Sequence, residues 1–315
     1  MRVTEHLERA EGPPISFEII PPRRGGSLDS LLQLVEDLSG HRPPFIDITS
    51  HAAEVIYEET PGGVQKRVKR KRPGTLGLCA LVQNKFQIDA VPHVLCEGFT
   101  REESEDFLIE LHYLGIDNVL AIRGDSAAYT KPLDHGRSRN EHASELISQI
   151  ADMNKGMFLE DLLDASPTNF CIGAAGHPEK HFEAPNREID VGWVKHKVEM
   201  GAEYIVTQMF FDNEQYFAFV EECRRQGITV PIIPGLKVLT TKRHLTTLPS
   251  TFHCDIPPAL ADEVTGAEVG HVTDVGVAWA VEQSLALLDA GVPSLHFYVM
   301  SNANAVTRVV DGLGR

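Results

Sequence analysis

Two carboxylates embedded in apolar runs are the first chemically informative residues of this sequence. Glu18 lies inside ISFEII and Asp47 inside FIDITS, each flanked by branched or aromatic side chains. The same pattern recurs along the chain: His93 in VPHVLC, Arg123-Gly124-Asp125 after NVLAI, and Gly176-His177-Pro178-Glu179-Lys180-His181 after FCIGAA. Thr207-Gln208 in YIVTQMFF, and His296 and Tyr298 in SLHFYVM, complete it. Acids, imidazoles, a guanidinium and an amide gathered on one rim suit a polar cofactor, or a substrate on which charge develops.

Each residue also has a plain structural reading. Glu18 could pair with an arginine in a barrel core. Asp47 alternates with Ile46 and Ile48, which favours a structural hydrogen bond. Arg-Gly-Asp can be a turn, and Asp190 stands where a helix N-cap belongs. His177 and His181 are spaced as metal ligands can be, but Pro178 interrupts them and no further ligand is specified, so no metal site is assigned.

The elements that must position these residues follow from periodicity. Eight short apolar segments, at 15–20, 45–50, 91–96, 118–124, 170–175, 204–211, 229–235 and 294–300, read as buried strands. Amphipathic helices alternate with them: one with Leu28, Leu31, Leu32, Val35 and Leu38 on one face, and one opened by a Thr100/Glu103 capping box. Others fall near 141–153, from Asp190 to Met200, after Asp212, and through 256–290. Strict alternation implies a parallel sheet, and eight units favour an α/β fold of the (β/α)8 TIM-barrel type as a single domain. An open doubly wound sheet is the alternative, but no GxGxxG follows any strand. Segments 53–90 and 126–140 read as irregular, with 64–74 a basic run on a solvated helix face. In a barrel, catalytic groups belong at the C-terminal strand ends, where the residues above fall.

Composition bounds the partners. The 315 residues are 42% hydrophobic and 23% charged, with 45 acids against 29 Lys plus Arg and a net charge of −16. Such a surface disfavours nucleic acid and anionic membranes, and no apolar run is long enough to span a bilayer. Five dispersed cysteines without a CxxC pair suit reduced thiols in a cytoplasmic protein.

The ordered set SFEIIPPR, IDITSH, VPHVLCEGFT, LGIDNVLAIRGD, HPEKH, GAEYIVTQMFFD, VPIIPG and GVPSLHFYVM closely resembles methylenetetrahydrofolate reductase, from about residue 15 to 302. The resemblance implies a (β/α)8 barrel that uses FAD and NADH or NADPH to reduce 5,10-methylenetetrahydrofolate to 5-methyltetrahydrofolate. It implies that Glu18 protonates the folate N10, that Asp125 stabilises the cationic iminium and tunes the flavin, and that Gln208 contacts folate and flavin. Thr49, Ala52, His93, Arg123, Gly124, Asp125, Ala143, His177, His181, Asp190, Lys197 and Gln208 fall at its flavin-contacting positions, with Arg123 and Lys197 toward the diphosphate. Trp193 and His196 stand where well-known bacterial members carry Asn and Arg, and Lys242 where the family has a stacking aromatic. A homo-oligomer is expected, and a regulatory domain binding S-adenosylmethionine, as in eukaryotic relatives, is not expected. A flavin-free folate reductase or a methyl-transfer barrel is the alternative activity.

Overall fold

Period-two alternation fixes which side chains line the barrel and which meet the helices. In the computed structural model, which describes residues 1–70, 72–124, 131–300 and 302–314, the strands are β1 (Ile15–Ile19), β2 (Phe45–Ile48), β3 (Glu54–Thr60), β4 (Gly63–Lys69), β5 (Asp89–Leu95), β6 (Asn118–Ile122), β7 (Cys171–Gly176), β8 (Tyr204–Thr207), β9 (Ile232–Ile233), β10 (Gly235–Leu236) and β11 (Leu295–Met300). Nine of them form one parallel sheet in the order β10-β11-β1-β2-β5-β6-β7-β8-β9. Pro234 separates β9 from β10 and has no N–H to give a ladder, so what the sequence reads as one strand at 229–235 is split. The ring closes across it: the His296 N–H donates to Pro234 O at 3.0 Å, and the Gly235 N–H donates to Thr207 Oγ1 at 2.9 Å.

Phe17, Ile19, Ile46, Val119, Ile172 and Ile205 face outward into one apolar cluster with Leu34, Leu38, Leu108, Leu146 and Phe219 of the surrounding helices. The inward set Phe45, Val91, Leu120, Tyr204, Val206 and Ile233 fills the barrel, with Val3 packed against it. Val3 belongs to α1 (Val3–Arg9), which plugs the N-terminal end of the barrel; its N–H donates to Asn118 Oδ1 at 2.8 Å.

The helices that follow are α2 (Leu28–Ser39), α3 (Thr75–Leu81), α4 (Arg101–Tyr113), α5 (Ala143–Met153), α6 (Arg187–Glu199), α7 (Asn213–Arg225), α8 (His244–Phe252), α9 (Pro258–Gly266), α10 (Val272–Asp289) and α11 (Asn304–Gly312). The Thr100/Glu103 capping box and the Asp212 cap form as expected. The α6 cap differs. Asn186, whose side chain accepts from the Ile189 N–H at 2.9 Å, is the N-cap, and Asp190 sits inside the helix. The irregular helical stretch 256–290 resolves into α9 and α10 with a short 3-10 turn between them, and strand 204–211 ends at Thr207.

The larger correction is at 53–90. Residues 64–69 of the basic run lie on β4, paired antiparallel with β3 as a hairpin across a turn in which Gly63 takes φ +117°. Every residue of β4 is exposed, so no apolar period marks it as a strand.

One packing feature carries a direct test. A Cβ on Gly173 would stand 2.4 Å from Tyr204 Cζ, because the Tyr204 ring lies across that strand. Gly173→Ala is therefore expected to cost about 1–3 kcal/mol through overpacking, read as a lowered urea midpoint. An unchanged midpoint would contradict this packing.

Candidate active site

The pleat of β1 sends Ser16 and Glu18 inward, and parallel register sets Glu18 beside Asp47 of β2 and Tyr298 of β11. His93, from β5, reaches between them: its Nε2 is 3.4 Å from Glu18 Oε2 and 3.6 Å from Asp47 Oδ2. The Glu18 side chain is 12% exposed and Asp47 1%. No arginine of the described residues pairs with Glu18, so the core ion-pair reading of that residue fails. Asp47 does not make the structural hydrogen bond expected of it either, since neither of its buried oxygens has a partner.

Removal from water dominates the electrostatics. It raises Glu18 to about 7, with neighbouring Asp47 raising it further and His93 and Lys237 opposing. Burial holds Asp47 well above the usual carboxylate range and pushes His93 down, against the pull of Glu18. Near neutral pH Glu18 is thus poised between its two forms, as a proton donor should be.

Lys237, which the sequence reading passed over, is the remaining charge of this group. Burial lowers it to about 8 despite Glu18, and its Nζ donates to Tyr298 O at 2.7 Å. A lysine inside the apolar run IIPGLKVL was the available signal. Tyr298 is anchored in turn, its hydroxyl donating to Thr207 O at 2.6 Å. His296, pushed by burial to about 3, is neutral, and its Nδ1 lies 2.9 Å from Ser16 Oγ.

A second group gathers at the ends of β6 and β7. Lys197 projects from α6 and donates to Ala175 O at 2.9 Å. Burial lowers its pKa, while Asp190 raises it. Asp190 Oδ2 accepts the His181 N–H at 3.0 Å, which holds the loop after β7 over the helix. The His177 and His181 rings meet edge to face at 4.7 Å, and burial drives His177 well below its ordinary value. Arg123 pairs with Glu183 at 2.7 Å, and Gly124 beside it takes φ +91°.

The remaining predicted positions lie on the same strand ends and helix starts. Thr49 is buried, with no partner for its Oγ1. Ala52 packs against Gly98, where an added Cβ would approach to 2.7 Å. Ala143 is the buried first residue of α5. Gln208 Oε1 accepts the Met209 N–H at 2.9 Å, which leaves its amide N–H groups as donors. Asp125 lies outside the described residues.

These donors fit a flavin dinucleotide. A buried ammonium with a single carbonyl partner retains N–H groups for a diphosphate, and Arg123 adds a fork-shaped donor beside it. His177, driven well below its ordinary value, and the partnerless Thr49 hydroxyl would add uncharged contacts to such a group. The arrangement joins a cationic side to a largely buried acid at the mouth of one barrel.

Residues 2–314 match the family described as Methylenetetrahydrofolate reductase. Methylenetetrahydrofolate reductase 1 of Schizosaccharomyces pombe is 29% identical over 320 residues, which cover 98% of this chain and 47% of that protein. The 5,10-methylenetetrahydrofolate reductase of Escherichia coli is 27% identical over 303 residues, covering 95% of this chain and 90% of that protein. The chain thus spans about half the length of the fungal relatives it matches. Among solved structures, an uncharacterized protein from Clostridium thermocellum that binds two copies of 5-methyl-5,6,7,8-tetrahydrofolic acid has a TM-score of 0.59 at 14% identity. That match covers 99% of this chain and 97% of the other, and at this identity it is a likeness of fold.

Proposed function

The chain belongs to the methylenetetrahydrofolate reductase family, and on that premise we propose that it reduces 5,10-methylenetetrahydrofolate to 5-methyltetrahydrofolate, with NADH or NADPH as reductant and FAD as carrier. The observation that carries this reading is Glu18, a nearly dry carboxyl raised to about 7 at the barrel mouth. The bridging carbon of the substrate accepts hydride only after its ring opens to a cationic iminium, and opening requires a proton on N10. Glu18 in its neutral form donates that proton, and its carboxylate then lies beside the new cation. His93 Nε2 lies 3.4 Å from the acid, and burial of the neighbouring Asp47 favours its protonated form as it does that of Glu18.

Lys197, Arg123, His177, His181, Asp190 and Thr49 would hold the flavin, with Ala52, His93, Gly124 and Ala143 against it. When bound, FAD supplies a two-electron carrier between nicotinamide and folate. Gln208 turns its free amide N–H groups toward the pterin, since its oxygen is occupied by Met209. Asp125 is assigned by its sequence position as the anion that steadies the iminium.

The test is spectroscopic. Purified protein is expected to bind FAD, lose its yellow absorbance with NADH or NADPH, and regain it with 5,10-methylenetetrahydrofolate. A protein that takes up no FAD yet still reduces the folate would replace this reading with the flavin-free one. Among the described residues no helix is long and apolar enough to cross a membrane.

A further inference from the structure

Oδ1 and Oδ2 of Asp47 and Nε2 of His93 are buried and without a hydrogen-bond partner among the described residues. Native interiors contain few such atoms, and each calls for a physical account. The Cys79 thiol and the Tyr204 and Tyr298 hydroxyls lie near enough to feel the charge of Asp47, yet none of them bonds to it. Among the described residues the one basic nitrogen in ion-pair range of it is His93 Nε2, at 3.6 Å. The same nitrogen lies 3.4 Å from Glu18 Oε2. Two carboxyls thus face one atom.

Burial favours the uncharged form of all three groups. A neutral imidazole has one N–H and one lone pair, so Nε2 can accept from only one of the two acids. The acids are not equivalent. The Glu18 side chain is 12% exposed and can turn its O–H toward the barrel mouth, whereas Asp47, at 1%, is enclosed. The enclosed acid has the greater need of the lone pair.

We propose that Asp47 is a positioning residue for the proton transfer: its O–H donates to His93 Nε2, which leaves the Glu18 proton free for the folate. The inference rests on the folate reading above. With the lone pair taken, Glu18 presents its O–H to the mouth, and the Glu18 O–H bond breaks as the N10–H bond forms. Without Asp47, His93 accepts from Glu18, and that hydrogen bond must be given up before the proton reaches N10. Closing the gap to Nε2 takes a shift of about 0.5 Å in the Asp47 side chain, and catalytic hydrogen bonds commonly tighten when a site fills.

The experiment has a kinetic and a spectroscopic arm. Asp47→Val removes the donor on a strand-forming side chain, and Asp47→Asn keeps an N–H donor. In Asp47→Val the reoxidation of pre-reduced flavin by folate is expected to slow about tenfold, the scale of one hydrogen bond, and flavin reduction by nicotinamide much less. Asp47→Asn recovers most of that rate. An Asp47→Val protein as fast as wild type, or an Asp47→Asn protein as slow as Asp47→Val, overturns the role. The second arm records the infrared bands of the two protonated carboxyls at pH 5, below the point where Glu18 ionises, each assigned by its loss in Glu18→Gln or Asp47→Asn. Donation to an imidazole lowers the carbonyl frequency of an acid, so the Asp47 band is expected below the Glu18 band. The reverse order, or no Asp47 band, overturns the proposal. This arm needs neither a folded Asp47→Val nor turnover. If the folate is not reduced, the activity reading fails, and the order of the bands still decides which acid holds His93.

Discussion

Glu18→Gln is expected to lower folate reduction by about 10²–10⁴-fold while nicotinamide oxidation with an artificial electron acceptor continues. The amide keeps the shape of the side chain and its place beside His93 but has no proton to give N10. The two half-reactions therefore separate. Comparable loss in both would mean that Glu18 serves binding or folding instead.

The same substitution has a predicted effect on stability, of opposite sign to its effect on activity. In the native protein Glu18 keeps its proton up to about 7, against 4.5 for the free side chain. As pH rises past 4.5 the unfolded chain releases a proton that the native state still holds. Stability falls across the window from 4.5 to about 7, and the loss is complete above it. The gap corresponds to about 3 kcal/mol. Glu18→Gln removes this cost, so the variant should be the more stable protein at pH 8 and gain little at pH 4, as read from urea midpoints at the two values.

Lys197→Met is expected to weaken FAD binding by about 10²-fold or more, the scale for removing one partner of a desolvated charge pair. Methionine keeps an unbranched apolar stem and deletes only the ammonium. Flavin fluorescence titration measures the change, and the urea midpoint shows that the fold persists. An unchanged Kd would place the diphosphate elsewhere and leave Lys197 as a support for the Ala175 carbonyl.

Legibility in the sequence tracked burial. The strands with an apolar face against the helices were readable, as were the Thr100 and Asp212 caps, because alternation and capping chemistry are local. The β3–β4 hairpin was not, since nothing along β4 is buried and its residues carry no apolar period. Pro234 split a strand that hydropathy alone joins, because hydropathy does not register a missing N–H. Asp190 imitated an N-cap while its side chain was engaged by the loop N–H of His181, a partner distant enough to escape a local rule. In the site, Glu18, Asp47 and His93 were each visible as polar residues in apolar strands. Their mutual approach depends on register across β1, β2 and β5, which only the closed barrel sets. Lys237 is not marked by the strand pattern, because it lies in the apolar run beyond the break that Pro234 makes in that strand.

The central claim is that one proton on Glu18 opens the folate ring. Rapid mixing of pre-reduced, FAD-loaded protein with 5,10-methylenetetrahydrofolate across pH measures that step apart from reduction by nicotinamide. The flavin reoxidation rate is predicted to fall tenfold per pH unit above about 7 in the wild type, and to be low and without this slope in Glu18→Gln. A wild-type rate that stays flat to pH 9, or a variant that retains the wild-type slope, would contradict the account.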